Sequence, residues 1–155
     1  MSEIYSIVYT PANIERHPED FYARVPLQEA TLTVKHGIEG DLKGSHPDRQ
    51  LNVMAYETLQ QLSAEGFQAA PGQMGEQIAL KGLDVNALNP GDQIQLGDSA
   101  RIEVIKARTG CERFEHIQGK NPSLVQGRMG QMAKVVAGGV IRVGDTVKVL
   151  QKENV

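Results

Sequence analysis

Short stretches in which apolar and polar residues alternate, each closed off by Gly, Pro, Asn or Asp, run the length of the chain. Alternation at a period of two sets one face of a strand in a core and the other in water. On that basis Leu32 and Val34, alternating with Thr31, Thr33 and Lys35, predict a strand, and residues 4–10, 77–80, 93–96, 101–108, 131–137 and 146–150 predict further strands because each is short and bounded by Gly, Pro, Asn or Asp. The first run is β-branched and aromatic and ends at Pro11, which cannot donate to a ladder. The clearest helical period lies in residues 55–65, where Ala55, Leu59 and Leu62 share one face. Gly66 offers a left-handed cap there, with Phe67 placed to pack back on Leu62. A weaker helical region has Asn121 as its cap and Pro122 at the first helical position. Residues 11–30, with three prolines, mixed charge and no period, predict an excursion over the surface. Residues 89–96 and 143–150 echo each other, each placing a Gly-Asp turn before an alternating strand, and predict equivalent turn-strand units of a barrel. Many short strands in one domain must hide their edges, so the expected fold is mostly β, a closed β-barrel with a few short helices.

Composition changes this picture little. The 155 residues fit one ordinary domain, and 40% hydrophobic with 23% charged residues is the balance of a globular protein. A net charge of −3 supplies no basic field for nucleic acid, so any anion site is local. The first eight residues, Met-Ser-Glu-Ile-Tyr-Ser-Ile-Val, lack the basic start and apolar centre of an export signal. No apolar run approaches the roughly 20 residues of a membrane span. With a single thiol, the expected compartment is the cytoplasm, with neither a membrane nor a nucleic acid as partner.

Chemistry concentrates first at that thiol. Cys111 is the only cysteine and sits in Lys106-Ala-Arg-Thr-Gly-Cys-Glu-Arg113. It can form no internal disulfide, which leaves packing, metal ligation, sulfur carriage or nucleophilic attack. Lys106, Arg108 and Arg113 favour the thiolate, the form that attacks and ligates, whereas a structural cysteine usually sits in an apolar run. A second candidate is residues 36–50, where Gly37, Gly40 and Gly44 turn the backbone and Lys43, His46 and Arg49 add cationic donors suited to a phosphate. Its plainer reading is an irregular connection. It matches neither a Walker loop nor Gly-x-Gly-x-x-Gly. Gly72-x-x-Gly75-Glu76 signals a bend entering a strand, and Arg128, set between Gly127 and Gly130, offers a fork for an oxyanion.

Other chemistries fit poorly. Histidines 17, 36, 46 and 116 are scattered, and there is no Cys-x-x-Cys, no His-Glu-x-x-His and no Gly-x-Ser-x-Gly, which argues against a zinc site and a serine hydrolase. A Cys-His pair formed in space between Cys111 and His36, His46 or His116 stays open.

Taken in order, Gly40-Asp41, Arg49-Gln50-Leu51-Asn52-Val53-Met54, Gly72-x-x-Gly75-Glu76-x-Ile78, Leu88-x-Pro90-Gly91-Asp92 with Gln95-Leu96-Gly97, Arg108-x-x-Cys111, Gly127-Arg128-x-Gly130 and Gly144-Asp145 resemble the MOSC domain, named for the C-terminal part of molybdenum cofactor sulfurases. The resemblance spans roughly residues 30–150 and implies one stand-alone bacterial MOSC domain over 1–155, with a barrel like that of pyruvate kinase. It implies that Cys111 either ligates molybdenum on its pterin or carries sulfur, and that Lys43, His46, Arg49, Arg108, Thr109 and Arg128 hold the anionic end of the cofactor. Arg108 and Arg128 are expected to reach the same pocket as Cys111. An enzyme of this kind would reduce N-hydroxylated compounds with electrons from a separate redox protein, since one cysteine holds no iron–sulfur cluster; a carrier would need a sulfur donor. Pyridoxal phosphate belongs to fused desulfurase domains and is not expected here. The chain departs from the family's usual pattern with Gly110 before Cys111 in place of Pro, and with Gln77 after Gly75-Glu76 in place of Asn. The contrasting reading is a β module that binds an anionic metabolite or a partner protein without turnover.

Overall fold

A computed structural model describes residues 2–11, 25–41, 50–108, 118–119, 122–125 and 127–150. Strands dominate: β1 (Glu3–Tyr9), β2 (Val25–Leu27), β3 (Glu29–Thr33), β4 (Gly37–Ile38), β5 (Leu51–Ala55), β6 (Ile78–Lys81), β7 (Gln93–Leu96), β8 (Ala100–Ala107), β9 (Gln131–Ala137), β10 (Gly139–Arg142) and β11 (Val147–Leu150). The helix α1 (Tyr56–Ala64) follows β5, and 3-10 turns cover Val85–Ala87 and Pro122–Val125.

Eight strands form one sheet in the order β11-β7-β8-β9-β5-β6-β1-β2, and three form another in the order β10-β3-β4. The expected closed barrel is not what the chain builds: the fold is mostly β, but neither sheet closes. The terminal strands β11 and β2 do not pair with each other. The segment before β11 meets β1 only through the isolated bridge Glu3↔Thr146 and a few main-chain bonds, among them Ile4 N–H to Asp145 O at 2.9 Å and Val147 N–H to Ser2 O at 3.0 Å. Closure is replaced by other edge protection. β2 is three residues long and carries Pro26, which presents no N–H to a further strand. β10 leaves the large sheet after Gly138 and pairs with β3, so the chain that might have extended one sheet starts another.

Period-two geometry divides the apolar residues between two cores. Leu51, Val53 and Ala55 of β5 and Ile78 and Leu80 of β6 face the main core, with Ile4, Ile94, Ile102 and Val135. Met54 and Ala79, on the opposite faces of the same strands, join Leu59 and Leu62 of α1 with Phe67, Met74, Val125 and Met129 in a smaller core. Strands β5 and β6, the parallel pair in the sheet, are therefore buried on both faces. The helix ends as its sequence predicts. The N–H of Phe67 donates to Leu62 O at 3.0 Å and that of Gly66 to Ser63 O at 3.1 Å, the paired bonds of a Schellman cap, and Gly66 takes the left-handed φ of 96° that a Cβ would disfavour.

The two echoing segments are structural equivalents. In each, a backbone N–H donates to the aspartate three residues on, Asn89 N–H to Asp92 Oδ2 and Arg142 N–H to Asp145 Oδ2, both at 2.8 Å. In each, the aspartate N–H returns to the first residue's carbonyl at 3.0 Å. The strands that follow, β7 and β11, lie side by side and antiparallel, Val147 opposite Leu96 and Leu150 opposite Gln93.

Candidate cofactor and sulfur site

Of the residues singled out from sequence, Lys43, His46, Arg49, Thr109 and Cys111 lie outside the described residues, as does Asn121; Arg108 and Arg128 lie within them. The eight-residue β8 delivers Arg108 to the start of β9, where its N–H donates to Gly130 O at 3.0 Å. The Arg108 side chain is buried against the smaller core, with Nη1 3.9 Å from the Met54 thioether sulfur. Gly130 makes this approach possible. A Cβ on it would stand 2.0 Å from Val53 O, so the three backbones of β5, β8 and β9 converge only because the residue is glycine. Its N–H donates to Asn86 Oδ1 at 3.1 Å.

Arg128 stands two residues earlier and is already engaged. Its guanidinium grips Glu65, at the end of α1, with Nη1 2.7 Å from Oε2 and Nη2 2.9 Å from Oε1, and Nη2 also donates to Leu124 O at 2.9 Å. The hydrogen bonds of Arg128, aided by its charge, hold the Glu65 carboxyl below the usual carboxylate range against an opposing desolvation, and Glu65 in turn raises Arg128. Parallel bonds to one carboxylate are the geometry in which arginine binds oxyanions generally.

The acidic and amide residues of the recurring motifs serve the backbone. Buried Glu76 accepts from Gly72 N–H at 2.8 Å and Met74 N–H at 3.2 Å, tying the Gly72–Gly75 bend to its own side chain. Gln77, fully buried where the family usually has asparagine, accepts from Asn52 N–H at 2.7 Å and donates to Asp41 Oδ2 at 3.0 Å, so the longer amide has both backbone and carboxylate partners. Asp41 also accepts from Thr10 N–H at 2.9 Å, and Gln50 accepts from Val135 N–H at 2.9 Å. These contacts pin both ends of the segment that carries Lys43, His46 and Arg49. Asn52 Oδ1 and Gln131 Oε1 are buried without a hydrogen-bond partner.

Three structural residues escaped the sequence reading. Gln131 Nε2 donates to Val85 O at 3.2 Å and Leu88 O at 3.1 Å; Asn86 orients Gly130; Gln118, buried beyond the cysteine, bonds to the 68–74 loop. Neutral amides are ordinarily solvated and carry no period or charge signal, so nothing in the sequence marks them. Among the described residues no group of His, Cys, Asp and Glu could hold a metal ion. Nor is any described helix long and apolar enough to cross a membrane.

Comparison with known proteins agrees with this geometry. None of the curated proteins matches. Solved structures do: YiiM from Escherichia coli is similar at a TM-score of 0.72 and 23% identity, over 97% of this chain and 71% of that one. YiiM from Geobacillus stearothermophilus follows at 0.73 and 19%, over 97% and 76%. The YuaD protein from Bacillus subtilis follows at 0.74 and 19%, over 96% of each chain. At these identities the likeness is one of fold. The sequence model of the MOSC domain matches residues 39–148, from just after β4 into β11, and with the motifs of that family each placed in the fold, the chain belongs to the MOSC domain family.

Proposed function

We propose that this MOSC-domain protein acts through Cys111, either binding the molybdenum cofactor or carrying sulfur. The observation that supports the reading is the setting of Arg108. In a chain of this family, a buried arginine directly follows β8, three positions before the sole thiol, where β8, β9 and β5 meet. The donor set fits the group in kind. A thiolate is a soft ligand matched to molybdenum, and guanidinium, ammonium and imidazole donors match a phosphorylated pterin. Cys111 would hold the metal. Arg108 and Arg128, with Lys43, His46, Arg49 and Thr109, would hold the anionic end of the cofactor. When bound, the cofactor would supply oxygen-atom transfer, such as reduction of an N-hydroxylated compound, with electrons from a separate protein.

The chain's own part is to present the thiol and neutralise the anion. Capture of an anion through Nη1 and Nη2 of Arg128 together would displace the Glu65 carboxylate, so Glu65 would act as a resident competitor for that fork. The second reading, a β module that binds an anionic metabolite without turnover, is separated by metal content. Expression in a host that makes the cofactor should give molybdenum in proportion to chain, with a matching absorption spectrum. A chain that comes out free of molybdenum and of extra sulfur belongs to the second reading.

A further inference from the structure

Helix α1, the 67–73 loop and Tyr5 of β1 enclose a cleft of about 470 Å3, a size within the roughly 300–1,000 Å3 of small-molecule sites. Of the chain's residues 23% are charged, yet none of the 11 that line this cleft is. Its aromatic surface is held in place. Tyr5 and Tyr56 stack with ring centroids 4.0 Å apart and planes 23° apart, and Gln60, one helical turn on, donates from Nε2 to the Tyr56 hydroxyl. Lys81 Nζ lies 5.5 Å from the Tyr56 ring centroid and belongs to no part of the lining. Tyr5 is 38% exposed, so the stacked pair keeps aromatic surface for a further partner.

Carboxamides complete the lining, from Gln60, Gln68 and Gln73. Gln73 Oε1 accepts from Ala70 N–H at 2.8 Å, which anchors the side chain, while among the described residues its Nε2 meets only Gln68 Oε1, at 3.4 Å. That contact is long, and an amide nitrogen carries two donors, so Gln73 keeps an N–H for a ligand. Each feature selects in the same direction. An aromatic surface favours a flat ring, a carboxamide pairs with a group that accepts and donates, and a lining without charge leaves an ion unpaired.

We propose that this cleft binds a neutral, flat heteroaromatic ring bearing an amide, stacked on Tyr5 and hydrogen-bonded to Gln73. Binding here does not depend on the role assigned to Cys111, and every residue it uses lies in the described fold. Nicotinamide is the probe, titrated into the full chain and followed by amide correlation spectra in NMR. It should shift the amides of residues 56–63 and 67–73 saturably, with a Kd of about 5 mM or tighter. Nicotinate, the same ring with a carboxylate, should bind at least about tenfold more weakly, and cyclohexanecarboxamide, the same amide without a flat ring, at least about threefold. Tyr5→Ala, and Gln73→Glu, which keeps the acceptor for Ala70 N–H, should each weaken nicotinamide at least about threefold, whereas Val140→Ala, on the small sheet, should leave it unchanged. Where either cleft variant fails to fold, Tyr5→Leu or Gln73→Met, each closer in bulk, decides in its place. No saturable shift, shifts centred elsewhere, nicotinate or cyclohexanecarboxamide binding as well as nicotinamide, or an unchanged Kd in either cleft variant would overturn the proposal. Shifts of the same amides on diluting the chain alone would also overturn it, by assigning the cleft to a second copy.

Discussion

At the scale of single residues, the ion pair between Arg128 and Glu65 decides how an anion site could work. Glu65 titrates below its ordinary range in the folded chain, so the stabilisation it gives is present above its unfolded pKa and is lost as pH falls through the lowered folded value. Glu65→Gln should remove that acid-side loss, seen as a flatter melting temperature between about pH 5 and pH 3. The same substitution should tighten phosphate binding severalfold if Arg128 faces the cofactor's anionic end, measured by calorimetry; unchanged or weaker binding would remove Arg128 from the site. Gly130 makes a sharper structural claim. Gly130→Ala would drive a Cβ into Val53 O and should cost about 1–3 kcal/mol by denaturant unfolding, because the φ of 77° adds strain to the clash.

At the scale of elements, α1 depends on its last turn. Gly66→Ala should cost about 1 kcal/mol, since alanine at a φ of 96° is strained while the paired cap bonds stay in place. Leu62→Ala should cost about 2–5 kcal/mol, because Leu62 is fully buried in the smaller core beneath that cap; equal effects from the two would contradict this division of roles. The same elements show which parts of the fold can be read from sequence. Strand β7 alternates in burial and falls where residues 93–96 predict it, and β9 falls on residues 131–137 as its boundaries predict. Strand β5 stood out only as a motif, because Leu51, Val53 and Ala55 face one core and Met54 another, which erases the alternation. The short strands β2, with its proline, and β4, of two residues, have too little pattern to register, and the same holds for β10, which begins at the second of two glycines. The strands of residues 25–30 also take up the end of what reads as an irregular surface excursion.

At the scale of the molecule, the inference from many short strands to a closed barrel fails for a physical reason. An edge needs protection, and closure is only one way to give it. Here a three-residue strand with Pro26 guards one edge, a few main-chain bonds from the start of β1 meet the approach to the other, and β10 is diverted into a second sheet. The candidate site is legible in part on the same terms. Charge and glycine marked Arg108, Arg128 and the Gly127–Gly130 turn, whereas the amides of Gln77, Asn86 and Gln118, bonded to Asp41, Gly130 and Gln68, acquire their meaning only from the fold. The proposed function rests on one thiol. Native mass spectrometry of the chain and of Cys111→Ser, each freshly isolated from a host that makes the molybdenum cofactor, tests it most directly. The unaltered chain should carry the cofactor or one additional sulfur atom, and Cys111→Ser should carry neither while melting within a few degrees of it. Equal loading of both chains, or an unaltered chain that carries neither, would contradict the assignment of Cys111 as the chemical centre.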